Sequence, residues 1–329
     1  MTQGTGEDEA AMIRALDLAA DVRASTSPNP WVGAIVVTPD GAYPGATEPP
    51  GARHAEIVAL DAAGAAARGA TLATTLEPCA HTGRTGPCAD AIIHAGVARV
   101  VVAIEDPDPN VAGQGIAKLR AAGIEVVTGV LAEAATAQLA PYLKHRTTGR
   151  PYVVLKLAAT MDGRTAAPDG SSQWITGDAA RTDAHRLRAE SDAVLVGAGT
   201  VRADDPSLTV RHVAGRDPLR VVLGHAPGGA RVHPALEHQG ELEPLLDDLG
   251  ARGVLQVLVE GGAAVAHDVH AAGLVDRYVL YLAPALFGGD DARGLFAGPG
   301  APTIDDVWRG RILSTRQLGD DLRIDLEAA

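Results

Sequence analysis

Apolar runs of strand length alternate with amphipathic runs of helical length along most of the chain. In the first half, residues 9–24 and 54–69 carry helical patterns, while 31–37, "WVGAIVV", and 70–76, "ATLATTL", are short continuous apolar runs that predict buried strands. A helix over 88–96, a strand over 99–104 and a helix over 113–123 follow. Strands separated by helices require crossover connections, so the pattern predicts an α/β fold with a largely parallel sheet. Residues 133–151 read as a helix interrupted by Pro141, ending in polar residues before Pro151. This sets a boundary near residue 147 and two domains, 1–147 and 148–329.

The alternation then restarts. Strands are predicted over 152–160, 192–199, 219–224, 254–260 and 276–286, with helices over 177–190, 241–253 and 262–273. The tail 311–327 holds two alternating runs about "GDD", which predicts an antiparallel edge hairpin. The chain of 329 residues is long for one core and comfortable for two.

Composition narrows the function. Aromatic residues are 3% of the chain, so Ala, Val, Leu and Ile must build the cores. The formal net charge is −13 and no Lys/Arg-rich run is present. Such a surface repels phosphate backbones, which argues against a nucleic-acid partner. No basic segment followed by an apolar core opens the chain, and no apolar run reaches the roughly 18 residues of a membrane span. The expected location is the cytoplasm, with no membrane partner.

The chain has two cysteines, Cys79 and Cys88, on either side of a Gly-, Pro- and Thr-rich loop. Two cysteines make no disulfide framework in a chain this long. With His54 they are one imidazole and two thiolates, the donor types and count of a catalytic zinc that keeps its fourth position for water. Such a water loses its proton near neutral pH, and a base must carry that proton. Glu56, two residues after His54 at a predicted helix start, suits that task. Cys88 is placed at the start of the next helix, where oriented N–H groups favour thiolate. H-x-E followed by P-C is the pattern of zinc nucleobase deaminases, with eight residues between the cysteines in place of the usual two.

In the second half, Lys156 sits late in an apolar strand, either snorkelling to the surface or pointing into a cleft. Gly197 and Gly199 follow a strand but complete no dinucleotide fingerprint. Glu260 ends a strand, and Gly261 and Gly262 precede a helix, so bare N–H groups at that helix start could meet a phosphate.

"TSPNPWVGAIVV", "HAEIVAL" and the stretch from "TLEPCAHTGRTGPC" to "EDPDPNVAGQG" resemble the deaminase half of the bifunctional riboflavin-biosynthesis deaminase-reductase family. The second half resembles its reductase half. The resemblance implies a cytidine-deaminase-like α/β/α domain followed by a dihydrofolate-reductase-like α/β domain, using Zn2+ and NADPH. It implies His54, Cys79 and Cys88 as zinc ligands and Glu56 as proton shuttle. Asn29 would meet the pyrimidine, and His81 and Arg84 the ribose phosphate. In the second half it implies cofactor contacts from Ala158, Trp174, Thr200, Asp204 and the backbone of Gly262, Ala263, Ala264, Val265, Ala266, His267 and Asp268. Substrate contacts would come from Lys156, Ser172, Arg188, Leu208, Arg211 and Glu260, with Arg188 and Arg211 suited to phosphate. The partner is a small phosphorylated pyrimidine, and the family implies a homo-oligomer, dimer or tetramer.

This chain departs from the family at "TGPC", at "TMDG" and at His267 and Asp268, where apolar residues are usual and a solvated helix face is expected. The segment 225–253 is short, which predicts a missing strand and leaves NADPH against NADH open. Three rivals stand beside this reading. They are a nucleic-acid deaminase, a deaminase of free cytidine, and a zinc deaminase with a non-catalytic ligand-binding or oligomerisation half.

Overall fold

Thr5 and Asp8 start the first helix. In the computed structural model, which describes residues 4–81, 86–109 and 111–329, the Thr5 hydroxyl accepts the Asp8 N–H at 3.3 Å. The Asp8 carboxylate accepts the Thr5 N–H at 2.7 Å. This reciprocal cap opens α1 (Gly6–Thr26). The same carboxylate holds Arg99, the first residue of a later strand, through both terminal guanidinium nitrogens.

The chain forms two compact units, Met1–Gly149 and Arg150–Ala329. The first contains strands β1 (Gly33–Thr38), β2 (Gly41–Ala46), β3 (Thr71–Leu76), β4 (Arg99–Ile104) and β5 (Glu125–Thr128) in the order β2-β1-β3-β4-β5. Helices α2 (Ala55–Ala63), α3 (Cys88–Ala95), α4 (Gln114–Ala121) and α5 (Ala132–Thr148) connect or follow them. β3, β4 and β5 are parallel, as the alternation predicts. β1 is antiparallel to both β2 and β3, so this sheet is less parallel than expected. The difference lies in "GAYPGA", whose glycines and Pro44 read as loop. Pro44 is tolerated because β2 is the edge strand. Gly45 has a second use. A Cβ there would lie 2.2 Å from the Ala55 carbonyl oxygen, so β2 and the first turn of α2 are in backbone contact. That contact fixes His54 and Glu56 against the sheet.

The expected break at Pro141 is absent. α5 runs through it, with Pro141, Leu139 and Tyr142 buried. An interior proline costs about 3 kcal/mol of helix stability, a cost that burial of neighbouring apolar side chains can offset.

The second unit is built on an eight-stranded sheet. Its strands are β6 (Tyr152–Thr160), β8 (Ala193–Gly197), β9 (Leu219–Leu223), β10 (Leu236–His238), β11 (Gln256–Val259), β12 (Arg277–Ala283), β14 (Gly310–Leu318) and β15 (Asp321–Ala328). Two short strands, β7 (Arg164–Ala166) and β13 (Arg293–Gly294), pair apart from it. The order is β10-β9-β8-β11-β6-β12-β15-β14, parallel as far as β12 and then antiparallel through the β14–β15 hairpin expected of the tail. Helices α6 (Asp178–Ala189), α7 (Ala198–Asp204), α8 (Leu242–Ala251) and α9 (Ala263–Ala271) complete the unit. Leu155, Leu195, Leu245, Leu249 and Val257 form its centre. The short 225–253 segment does keep a strand: β10 pairs with β9 in parallel. The connection over 224–235 contains no helix, and its length of about a dozen residues is the least that a parallel crossover needs. No helix among the described residues is long and apolar enough to cross a membrane.

Candidate active sites

His54 is the N-cap of α2, Cys79 follows β3, and Cys88 is the first residue of α3. Three segments distant in sequence thereby meet. His54 Nδ1 is 3.7 Å from the Cys79 Sγ and 3.3 Å from the Cys88 Sγ. The donor atoms of the three lie within 4.8 Å of one another, and no other such cluster of His, Cys, Asp and Glu exists among the described residues. The hydrogen bond with Cys88 holds the Cys79 thiol far below its ordinary range, at about 4. The same contact, with burial, pushes Cys88 up. Two sulfurs sharing one proton beside an imidazole form a soft N/S donor set, and this set fits zinc.

Glu56, in the first turn of α2, is 4% exposed. Burial raises its pKa to about 7, against the lowering effect of its own backbone N–H. A carboxyl poised there can both take and give a proton near neutral pH. A cavity of about 330 Å³ opens onto His54, Glu56 and Cys79, and Asn29 and His81 line it as well. Arg84 lies outside the described residues.

Glu77, Asp106, Asp108, Tyr142 and Arg146 also line this cavity, and no motif singled them out. Glu77 accepts the backbone N–H groups of Asp106 at 3.2 Å, Gly113 at 2.9 Å and Ile116 at 3.0 Å. It thus ties the 105–116 segment to the end of β3. The Tyr142 hydroxyl donates to Asp106 at 3.0 Å. "EDPDPN" was a visible signal for the two aspartates. Tyr142 and Arg146 sit on α5, whose pattern signals only a helix.

In the second unit, Arg188 of α6 makes a two-pronged pair with Glu260, both contacts at 2.9 Å, and donates to the Thr209 carbonyl at 2.7 Å. Lys156 feels the charges of this pair, and its ammonium lies 5.7 Å from the centre of the Tyr281 ring. Burial lowers its pKa, Glu260 opposes the lowering and Arg188 adds to it. Lys156 is thus half-buried, with its ammonium beside the Tyr281 ring. Leu208 is buried beside Thr209, and the Arg211 guanidinium donates to the hydroxyls of Ser207 and Thr209 at 2.8 Å each.

Thr200 lies beside Gly262, at 3.5 Å from where a Cβ would sit. A Cβ on Gly261 would meet the Val265 side chain at 2.5 Å, so this turn needs glycine for packing alone. Across 262–268 the exposed positions are Gly262, Ala264 and Asp268, whereas Ala263, Val265 and Ala266 are buried and offer a ligand only backbone. His267 is not on a solvated face. Its ring fills the space beside Gly298, within 2.3 Å of a Cβ there. Ala158 packs partly buried under α6. Ser172, Trp174 and Asp204 are not hydrogen-bonded to the Lys156–Arg188–Glu260 group. Trp174 is 70% exposed with the Arg181 guanidinium 4.8 Å above its ring. Asp204 is exposed at the end of α7, and Ser172 is half-buried.

Residues 5–104 match the family described as the cytidine and deoxycytidylate deaminase zinc-binding region. Residues 151–324 match the RibD C-terminal domain. The chain is similar to the riboflavin biosynthesis protein RibD of Escherichia coli, with 40% identity over 98% of this chain and 100% of the relative. The chain belongs to the RibD family. The solved structure of Acinetobacter baumannii RibD superposes with a TM-score of 0.91 at 39% identity, covering 98% of this chain and 99% of that one. A Thermotoga maritima deaminase/reductase of the same kind superposes at 0.88 with 32% identity, again over 98% and 99%. RibD membership makes the chain a bifunctional enzyme of riboflavin biosynthesis. A zinc-binding, cytidine-deaminase-like domain is fused to a dihydrofolate-reductase-like RibD reductase domain. The alignment to the E. coli RibD spans 371 positions, more than the 329 residues here, so this relative carries insertions that this chain lacks.

Proposed function

We propose that residues 1–147 deaminate diaminohydroxyphosphoribosylaminopyrimidine and residues 148–329 reduce the product, 5-amino-6-(5-phosphoribosylamino)uracil, to its ribityl form, the substrates named for the Thermotoga relative. The observation that carries this reading is the convergence of His54, Cys79 and Cys88 on one point beside the buried Glu56. Held by those three, zinc would supply the Lewis acidity that makes a water nucleophilic near neutral pH. Glu56 takes the proton of that water and returns it to the departing amine. The C–N bond at the pyrimidine 2-position breaks, ammonia leaves and a carbonyl remains. Asn29 holds the ring, and His81 with Arg84 holds the ribose phosphate.

In the second unit, bound NADPH would supply the hydride for reduction at C1′ of the opened sugar. Thr200 and the α9 start from Gly262 bind the cofactor backbone, with Ala158, Trp174 and Asp204 beside it. Lys156, Ser172, Leu208 and Glu260 face the substrate. Arg188 is already neutralised by Glu260, so Arg211, which pairs with no carboxylate among the described residues, is the better phosphate ligand.

The enzyme is cytoplasmic and acts on a small molecule, with no nucleic acid or membrane partner. It works as a homo-oligomer through its second unit. Eight large apolar side chains between Leu286 and Leu313 are exposed, and β14 is a free sheet edge. Asp305 and Asp306 on one side of Trp308, with Arg309 and Arg311 on the other, let this patch face its own copy across a two-fold axis. Purified enzyme given the pyrimidine phosphate and NADPH should release ammonia first and oxidise NADPH only afterwards. Ammonia without NADPH oxidation would leave a deaminase with a non-catalytic second half.

A further inference from the structure

Arg211 is presented by a segment whose backbone is bent against its preference. Leu208 and His212 both hold left-handed φ angles, 52° and 59°, which side chains other than glycine adopt at a cost. Such a segment keeps its shape only if its surroundings dictate it. Three side chains do so here, each gripping a successive backbone group. Arg188 donates to the Thr209 carbonyl at 2.7 Å, Asp217 accepts the Val210 N–H at 2.7 Å, and His185 accepts the Arg211 N–H through Nδ1 at 3.0 Å.

His185 lies three residues before Arg188 on α6, so one helix face grips the segment at two points. It is 7% exposed, and its ring meets that of His212 edge-on, with centroids 4.7 Å apart. Among these three grips, His185 alone acts on the amide of the residue whose guanidinium is read as the phosphate ligand. Nδ1 accepts only while the imidazole is neutral and its proton sits on Nε2. The charged and titratable groups around it are Arg188 on its own helix, Arg211 and His212 on the gripped segment, and Glu260 after β11. Burial and the two arginines oppose protonation, holding its pKa at about 4.

We propose that His185 is a positioning residue for the reductase step, setting the place of Arg211 by accepting its backbone N–H. This rests on the reading of Arg211 as the phosphate ligand. It acts on substrate binding and leaves the hydride transfer untouched. It also discriminates phosphorylated substrate from its dephosphorylated counterpart, because only the former needs Arg211.

The test uses the full-length enzyme, the deaminated pyrimidine as its phosphate and as its nucleoside, and the variants His185→Phe, His185→Asn and Arg211→Ala. His185→Phe should raise KM for the phosphate about tenfold with kcat little changed, and should leave kcat/KM for the nucleoside unaltered. His185→Asn, which retains an acceptor oxygen on a side chain of similar reach, should recover most of the loss. If Arg211→Ala raises KM for the phosphate but His185→Phe and His185→Asn both leave it at the wild-type value, His185 does not position Arg211. If His185→Phe fails to fold, His185→Leu, which also lacks an acceptor, takes its place. A KM raised for the phosphate alone then supports the role, and an unchanged KM or an equal loss against phosphate and nucleoside overturns it. If Arg211→Ala itself leaves KM unchanged, the assignment of Arg211 is what fails.

Discussion

The backbone N–H of Cys88 donates to the Sγ of Cys79 at 3.3 Å. One cysteine thus steadies the sulfur of the other across the loop that separates them. The first N–H groups of a helix are free to do this because they have no partner within the helix. The long spacing between the cysteines therefore does not hinder their convergence, since the start of α3 brings Cys88 against Cys79.

Cys88→Ser should weaken zinc binding by roughly tenfold or more, since a hydroxyl replaces a thiolate in a three-residue set. Metal analysis of the dialysed protein measures it. Full zinc occupancy would remove Cys88 from the ligand set.

Glu77→Gln should loosen the rim of the same cavity. The Glu77 carboxylate accepts three backbone N–H groups of the 105–116 segment, and an amide can no longer accept all three. A buried donor left unpaired costs about 1–3 kcal/mol, so thermal stability should fall by a few degrees. KM for the deaminase step should rise while zinc content stays the same. An unchanged KM would mean that the segment holds its shape without Glu77.

Acid sensitivity should depend on Asp8. The hydrogen bond to Arg99 lowers its pKa from 3.8 to about 2, in spite of burial. A carboxyl whose folded pKa is depressed stabilises the fold above its unfolded value, near 4, and that contribution is lost as pH falls from about 4 to about 2. Near neutral pH it is worth roughly 2 kcal/mol. Asp8→Asn should therefore be less stable than wild type at pH 7 by about that amount, with the gap closing towards pH 2. Urea melts of both proteins at several pH values check this, and zinc loss in acid affects the two alike. A gap that does not change with pH would contradict the assignment.

The zinc site was legible because its chemistry demands particular residue types. Few other arrangements use one imidazole, two thiols and a carboxyl in this order, so H-x-E and the two P-C steps were visible without geometry. The alternation of strands and helices was legible for the same kind of reason, since buried parallel strands must be continuous apolar runs. β2 was hidden because "GAYPGA" has turn composition, and only its edge position and the close approach to α2 make it a strand. At Pro141 the local pattern alone reads as a break, and the burial of α5 outweighs that preference. The pattern around His267 reads as a solvated face, and only the folded chain brings Gly298 against it. The grips of Glu77 and His185 are long-range contacts to backbone, which leave no pattern in a sequence.

The central claim is that Glu56 moves protons beside a metal that it does not bind. Zinc content and ammonia release measured on one preparation of Glu56→Gln test it most directly. The account predicts about one zinc per chain, as in wild type, with ammonia release reduced at least a hundredfold. Turnover close to wild type, or a protein that has lost its zinc, would contradict it.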